Sequence, residues 1–297
     1  YDPKLFSGAI AAGGTLGIMI PPSINLIVYG FLTQSSIPQL FLAGLIPGLT
    51  LAIGFMAITV IICLIRPDLG GTRRTFPFPQ MLRALIDLVP IMILFGMIVG
   101  SIYGGWATPT EAAAVGVAGS LVIALVFGGV SWSMLTQSLT GTVKITSMIM
   151  LIVIGASFLN FTLASAGLGR ELTEFMIGLG LTPLKTILVV VVLYIVLGFF
   201  IETLSLMVVT IPIIVPLVVA QGYDVVWFGI LMIVLIEMAL ITPPVGLNLY
   251  VVQGARKSGS LNEVMLGALP YCLTMLAMAF LLISFPSIAL FLPHALQ

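Results

Sequence analysis

Gly13-Gly14-Thr15-Leu16-Gly17-Ile18-Met19-Ile20-Pro21-Pro22-Ser23-Ile24-Asn25 interrupts an apolar run that extends over residues 3–33. Proline has no N–H to donate and disfavours helix in the residue before it, so a Pro-Pro pair ends one half-helix and starts another. Several carbonyls are left without helical partners. In lipid such carbonyls are costly, and they are tolerated only facing protein or a wet cavity, where they can coordinate a cation. Gly17 lets the backbone approach closely, and Ile20 and Pro22 offer main-chain oxygens.

The same arrangement recurs. Tyr1-Asp2 and Pro21-Pro22 are matched by Tyr223-Asp224 and Pro243-Pro244 at a constant offset of 222 (243 minus 21), and Phe6 is matched by Phe228. After one inserted residue the offset is 223, which pairs Asn25-Leu26 with Asn248-Leu249, Gly44 with Gly267 and Pro47 with Pro270. The second break, Ile241-Thr242-Pro243-Pro244-Val245-Gly246-Leu247-Asn248, adds the Thr242 hydroxyl. Hard oxygen ligands without a fixed carboxylate suit Na⁺ better than a divalent ion.

Composition fixes the solvent. The 297 residues are 60% hydrophobic and 7% charged, with ten basic and ten acidic side chains. An ordinary soluble domain carries about 25% charged residues, so most of this surface faces lipid; the net charge of zero says nothing about nucleic acid, and no nucleic-acid partner is expected. Spans of about 20 apolar residues are predicted near 38–65, 84–103, 110–129, 143–166 and 264–292. Broken spans are expected at 3–33 and 223–256. The stretch 183–220, with Glu202-Thr203 and Ser205 in its middle, suits a re-entrant hairpin. The chain therefore divides into 1–36 (first broken helix), 37–66 (connecting scaffold helix), 67–83 (cytoplasmic loop) and 84–166 (membrane helices of scaffold and second repeat). There follow 167–182 (an extracytoplasmic amphipathic segment), 183–222 (hairpin), 223–258 (second broken helix) and 259–297 (C-terminal membrane helix).

Five crossings separate the two breaks, an odd count that inverts the second copy; an inverted repeat with broken helices marks a secondary transporter. The positive-inside bias places Lys4, Arg66, Arg73, Arg74, Arg83, Lys144, Arg256 and Lys257 in the cytoplasm, and Arg170 and Lys185 outside, with the C-terminus periplasmic. The repeat also calls for a hairpin before Tyr1.

Other residues carry less. Cys63 and Cys272 read as small core hydrophobes, and His294, the only histidine, lies in the tail, so a His-based metal site is excluded and no transition metal is expected. Trp106, Trp132 and Trp227 read as interfacial belt residues, and Gly116 with Ser120 as a helix-packing pair. Glu202 and Glu237 are acids deep in membrane segments, functional candidates by position; the structural alternatives are a turn cap for Glu202 and bonds to neighbouring backbone for Glu237. Ser23, Asn25, Glu202, Thr203 and Asn248 are candidate substrate contacts, with half-helix N-termini near Ser23 and Val245 attracting a carboxylate.

GGTLGIMIPPS, WATPTEAAAVG and ITPPVGLNLYVVQGA resemble the large, DctM-like membrane (M) subunit of the tripartite ATP-independent periplasmic (TRAP) transporters, over essentially the whole chain and through the final Phe285, Pro286, Phe291, Leu292 and Pro293. The resemblance implies an all-α, polytopic inner-membrane protein, an elevator-type transporter of inverted repeats with re-entrant hairpins and broken helices, similar to the wider ion transporter superfamily. It implies symport of an organic acid with Na⁺ as the coupling ion and no other cofactor. Its partners would be a small four-helix membrane subunit (Q) and a periplasmic substrate-binding protein (P). One Na⁺ site would use Gly17, Ile20 and Pro22; the other would use Ala239, Thr242 and Val245 with Gly198 of the hairpin. That family usually has aspartate where Glu202 stands and often glycine where Ala239 stands. It also implies that this sequence lacks the N-terminal portion. The competing readings are a one-component Na⁺/carboxylate symporter needing no binding protein, a channel, and an intramembrane enzyme; the enzyme is disfavoured because no HExxH or nucleophile motif is present.

Overall fold

Residues 2–71, 78–167, 171, 174, 178, 181–256 and 259–296 are described by a computed structural model, and among them the chain is helical, with no strand. It separates into two compact units, one of Tyr1–Thr72 with Ile152–Gln297 and one of Arg73–Leu151. Among the described residues six helices are long and apolar enough to cross a membrane, and a bent pair at the first break makes a possible seventh span.

In the larger unit, α1 (Pro3–Met19) and α2 (Ile24–Thr33) form the first broken helix, bent by 41°. The helix α3 (Ile37–Ile65) follows. The second unit holds α4 (Phe78–Tyr103), α5 (Pro109–Phe127) and most of α6 (Trp132–Ser165). The larger unit resumes with α7 (Pro183–Gly198) and α8 (Thr203–Ala220), joined by a short turn as the two arms of a hairpin. Next come α9 (Val225–Ile241) and α10 (Leu247–Arg256), the second broken helix, then α11 (Leu261–Ser284) and α12 (Ser287–Ala295).

Polar side chains at the ends set these boundaries. Asp2 caps α1 by accepting from Lys4 N at 2.7 Å and Leu5 N at 3.3 Å, and its repeat mate Asp224 caps α9 by accepting from Trp227 N at 2.9 Å. Thr108 and Glu111 form a reciprocal capping box that starts α5.

The repeat is visible as exchanged contacts. Gly8 of α1 meets Gly267 of α11 backbone to backbone, so closely that a methyl on Gly8 would overlap the Gly267 carbonyl. The mates of this pair are Ile230 of α9 and Gly44 of α3, and a methyl on Gly44 would stand 3.8 Å from Ile230 Cδ1 and 3.0 Å from the Met19 carbonyl oxygen. When residue i of one copy touches residue j of the other and their mates touch in turn, the copies are related by a two-fold operation. Glycine is required at Gly8 and Gly267 by the approach itself.

The helix α9 is the centre of the larger unit: sixteen of its residues, Val226 through Ile241, are buried. That corrects the belt reading of Trp227, which is only 1% exposed, stacks on Tyr223 at 4.8 Å and donates its indole N–H to Leu282 O at 2.8 Å. A buried indole needs such an acceptor. Trp106 and Trp132 are exposed.

Four further expectations shift. The helix expected at 143–166 starts at Trp132, where the Ser131 hydroxyl accepts from Met134 N at 3.1 Å. The C-terminal span expected at 264–292 is two helices, because Pro286 cannot continue α11. The helix α4 starts at Phe78, inside the stretch expected as loop. The packing face of α5 is Ala112, Gly116 and Gly119, not Gly116 with Ser120: methyls on the two glycines would meet Ile98 and Leu94 of α4 at 2.8 Å, whereas the Ser120 hydroxyl is exposed and donates to Val117 O. Arg73, Arg74 and Lys257, expected in the cytoplasm, Arg170, expected outside, and most of 167–182 fall outside the described residues, as does the side chain of Arg83.

Candidate functional site

Counting helical donors shows which carbonyls each break releases. At the first break the donors for the Gly17 and Ile18 carbonyls would be the nitrogens of Pro21 and Pro22, which carry no hydrogen. The Ser23 hydroxyl donates to the Ile18 carbonyl, while its oxygen accepts from Leu26 N at 3.3 Å and caps α2. Gly17 is exposed, with nothing within 4 Å of where a side chain would begin. Ile20 leaves the helix at φ −74° and ψ 124°, half-buried, and Pro22 is exposed.

At the second break Thr242 occupies the position matching Ile20 and has the same extended geometry, φ −91° and ψ 127°. The donors for the Ala239 and Leu240 carbonyls would be Pro243 and Pro244, so both lose their helical partners; Ala239 O accepts from Thr242 N instead, at 3.3 Å. The Thr242 hydroxyl donates to Met238 O at 2.6 Å. Cys272 of α11 is also close: its Sγ is 3.7 Å from Thr242 Oγ1 and its thiol donates to Ile241 O at 3.3 Å. Gly246 then turns the chain at φ 43°, a conformation that glycine adopts freely. Both Pro-Pro peptide bonds are cis.

The hairpin meets this break through Gly198, the last residue of α7. A methyl on Gly198 would run into the Ala239 methyl, and Leu206 Cδ2 and Ala239 Cα lie 3.7 and 3.9 Å from it. Gly198 and Ala239, predicted to share a site, are thus in contact. Val245 is half-buried at the far side of the break. The arms are held as a piece by Tyr194 of α7, whose hydroxyl lies 2.7 Å from Thr210 Oγ1 of α8 and 3.2 Å from Met232 Sδ of α9.

The candidate substrate residues are less concentrated. Ser23, Asn25 and Thr203 are buried, Asn248 is half-buried and Glu202 is exposed; among the described residues no hydrogen bond joins any two of them. Glu202 caps α8, accepting from Leu204 N and Ser205 N, both at 3.0 Å, and from the Ser205 hydroxyl at 3.2 Å. That is the turn-capping alternative, and it explains why aspartate would serve the same position. Glu237 does not bond neighbouring backbone. It is fully buried and neither carboxyl oxygen has a partner among the described residues, because a carboxylate needs donors and mid-helix N–H groups are already bonded one turn back. Cys272, expected as a small core hydrophobe, carries no sequence signal that sets it apart; only the packing of α11 on the end of α9 places its thiol at the break.

Over residues 1–288 the sequence matches the family described as "Tripartite ATP-independent periplasmic transporter, DctM component". It is 33% identical over 318 residues to the C4-dicarboxylate TRAP transporter large permease protein DctM of Rhodobacter capsulatus, covering 99% of this chain and 70% of that one. With the protein of the same name from Pseudomonas aeruginosa the identity is 34% over 297 residues, covering 99% and 68%. The sialic acid TRAP transporter large permease protein SiaM of Vibrio cholerae is 33% identical over 303 residues, covering 99% and 68%.

Proposed function

From the premise that this chain belongs to the DctM component family of tripartite ATP-independent periplasmic transporters, we propose that it carries an organic anion across the bacterial inner membrane by Na⁺ symport, as the large permease. Membership makes it a secondary-transport permease of a tripartite system and not an enzyme. The coupling ion, the sites and the mechanism are our reading. The observation that carries it is the second break: two carbonyls released by adjacent prolines, a threonine hydroxyl beside them, and the glycine tip of a hairpin pressed against Ala239. Released oxygens with no fixed carboxylate suit a monovalent hard cation.

In this reading one Na⁺ is held by Gly17, Ile20 and Pro22, and another by Gly198, Ala239, Thr242 and Val245. The hairpin is re-entrant and moves with α9 as part of an elevator. Half-helix N-termini near Ser23 and Val245 draw the substrate carboxylate by their dipoles. Relatives of equal identity are named for a C4-dicarboxylate and for sialic acid, which are both carboxylates, so the permease supplies carboxylate selection and a periplasmic binding protein supplies the finer choice. A small membrane subunit completes the complex, and the C-terminus is periplasmic.

The test is uptake by the complete, full-length complex in liposomes. Na⁺-driven uptake should require the binding protein and should lose Na⁺ dependence in Thr242→Val. Thr50→Val, whose exposed hydroxyl bonds back to Ile46 O on an unbroken helix, is the control. Equal Na⁺ dependence of the two variants would remove the second site. Strong uptake of free substrate without the binding protein would turn the assignment toward a one-component symporter.

A further inference from the structure

We propose that Cys272 is a positioning residue for the second cation site, acting through the Ile241 carbonyl and the Thr242 hydroxyl. The inference rests on the reading of that site given above and deepens it.

The second break leaves three carbonyls without their helical partners. Pro243 and Pro244 free the carbonyls of Ala239 and Leu240, and the turn away from helix at Thr242 frees that of Ile241 as well. A buried carbonyl left free costs stability and can also rotate toward a nearby cation. Thr242 N partners one of the three, Ala239 O, at 3.3 Å, and the Cys272 thiol partners another by donating to Ile241 O at 3.3 Å. Held at its carbonyl, the Ile241–Thr242 peptide plane is fixed, and with it the direction of the Thr242 side chain. The threonine proton points to Met238 O at 2.6 Å, so one face of its oxygen remains for a cation. Sγ also lies 3.7 Å from that oxygen. Sulfur is a weak acceptor and a poor partner for a hard cation, so it shapes the site without joining it.

The other break works differently. The matching segment of α3 reaches the end of α1 through Gly44 and Gly48, the first against the Met19 carbonyl and the second against Ile20, and the position matching Cys272 is Leu49. There the peptide plane is fixed by close packing, while at the second break a side-chain donor fixes it. A thiol is therefore not demanded by the fold at this position.

The experiment uses the purified full-length complex and reads Na⁺ binding without transport, as the Na⁺ concentration at half-maximal rise in thermal midpoint, alongside Na⁺-dependent uptake. Cys272→Ala should raise the Na⁺ midpoint about twofold to tenfold, the range that loss of one weak hydrogen bond gives. The uptake rate at saturating Na⁺ should stay near that of the parent. Cys272→Ser, which restores a donor to Ile241 O, should return the midpoint toward the parent value. A residue that merely fills the core would lower the thermal midpoint in Na⁺-free buffer and leave the Na⁺ midpoint unmoved; that outcome overturns the proposal, as does Cys272→Ser behaving like Cys272→Ala. If Cys272→Ala is too unstable to purify, Cys272→Val, which leaves no cavity and removes the donor, gives the same test. A parent complex with no Na⁺-dependent thermal shift and no Na⁺-driven uptake would instead sink the cation site itself.

Discussion

Gly198→Ala tests the contact between the hairpin and the second break. Gly198 is not among the glycines with positive φ, so alanine meets no backbone strain there and the effect is steric. The new methyl would run into Ala239 Cβ, with Leu206 Cδ2 also in contact at 3.7 Å. The helix α9 is buried over Val226–Ile241 and cannot retreat, so α7, exposed along part of its length, gives way. Forcing one extra methyl into a packed contact costs about 1–3 kcal/mol. Thermal unfolding of the complex in Na⁺-free buffer should report that loss. If the hairpin tip contributes an oxygen to the cation, the same displacement weakens Na⁺ binding by about 5-fold to 150-fold. The decisive comparison is Gly198→Ala with Ala239→Gly, which moves the methyl from one side of the contact to the other and should recover most of both losses. The reasoning fails if Gly198→Ala leaves stability and Na⁺ midpoint unchanged, or if the double variant is no better than the single.

Trp227→Phe should lower stability by about 1 kcal/mol or more, from loss of the indole bond to Leu282 O; an unchanged unfolding midpoint would return Trp227 to the membrane belt. Glu202→Ala should cost about 1 kcal/mol of hairpin stability through loss of the α8 cap, and Glu202→Asp should preserve it; uptake that tracks charge and not capping, with Glu202→Gln as poor as Glu202→Ala, would give the side chain a direct role instead. Glu237→Met, which removes two buried unpartnered oxygens, should leave the protein as stable or up to about 3 kcal/mol more stable by thermal unfolding; clear destabilisation would mean that the carboxyl has a partner.

What the sequence made legible was whatever depends on the backbone. A proline without an N–H breaks a helix wherever it occurs in pairs, so the ends of α1 and α9, and the matching of Ile20 to Thr242, follow from Pro21-Pro22 and Pro243-Pro244 alone. The hairpin ends were equally clear, because Thr182 and Glu202 cap α7 and α8 by local bonds. What escaped depends on neighbours distant in the chain. Trp227 reads as interfacial until α11 places the Leu282 carbonyl beside it. Gly116 has two small residues at workable spacing, Gly119 and Ser120, and only the position of Leu94 selects the first. Pro286 broke a run whose hydropathy is continuous, a local signal outweighed by the apolar residues around it.

The two-fold relation also pairs the residues of the two breaks chemically. Ala239 is the mate of Gly17 and Thr242 the mate of Ile20, and both Ile20 and Thr242 leave the helix with extended backbone, at φ −74° and ψ 124° and at φ −91° and ψ 127°. The pairs have the same backbone role and differ in what the side chain adds. Ile20 brings no polar atom beyond its main chain, whereas Thr242 brings a hydroxyl whose proton goes to Met238 O at 2.6 Å, so its oxygen can still accept. Na⁺ midpoints should therefore respond more sharply to Thr242→Val than to any side-chain change at Ile20, whose contribution is a main-chain oxygen that substitution leaves in place.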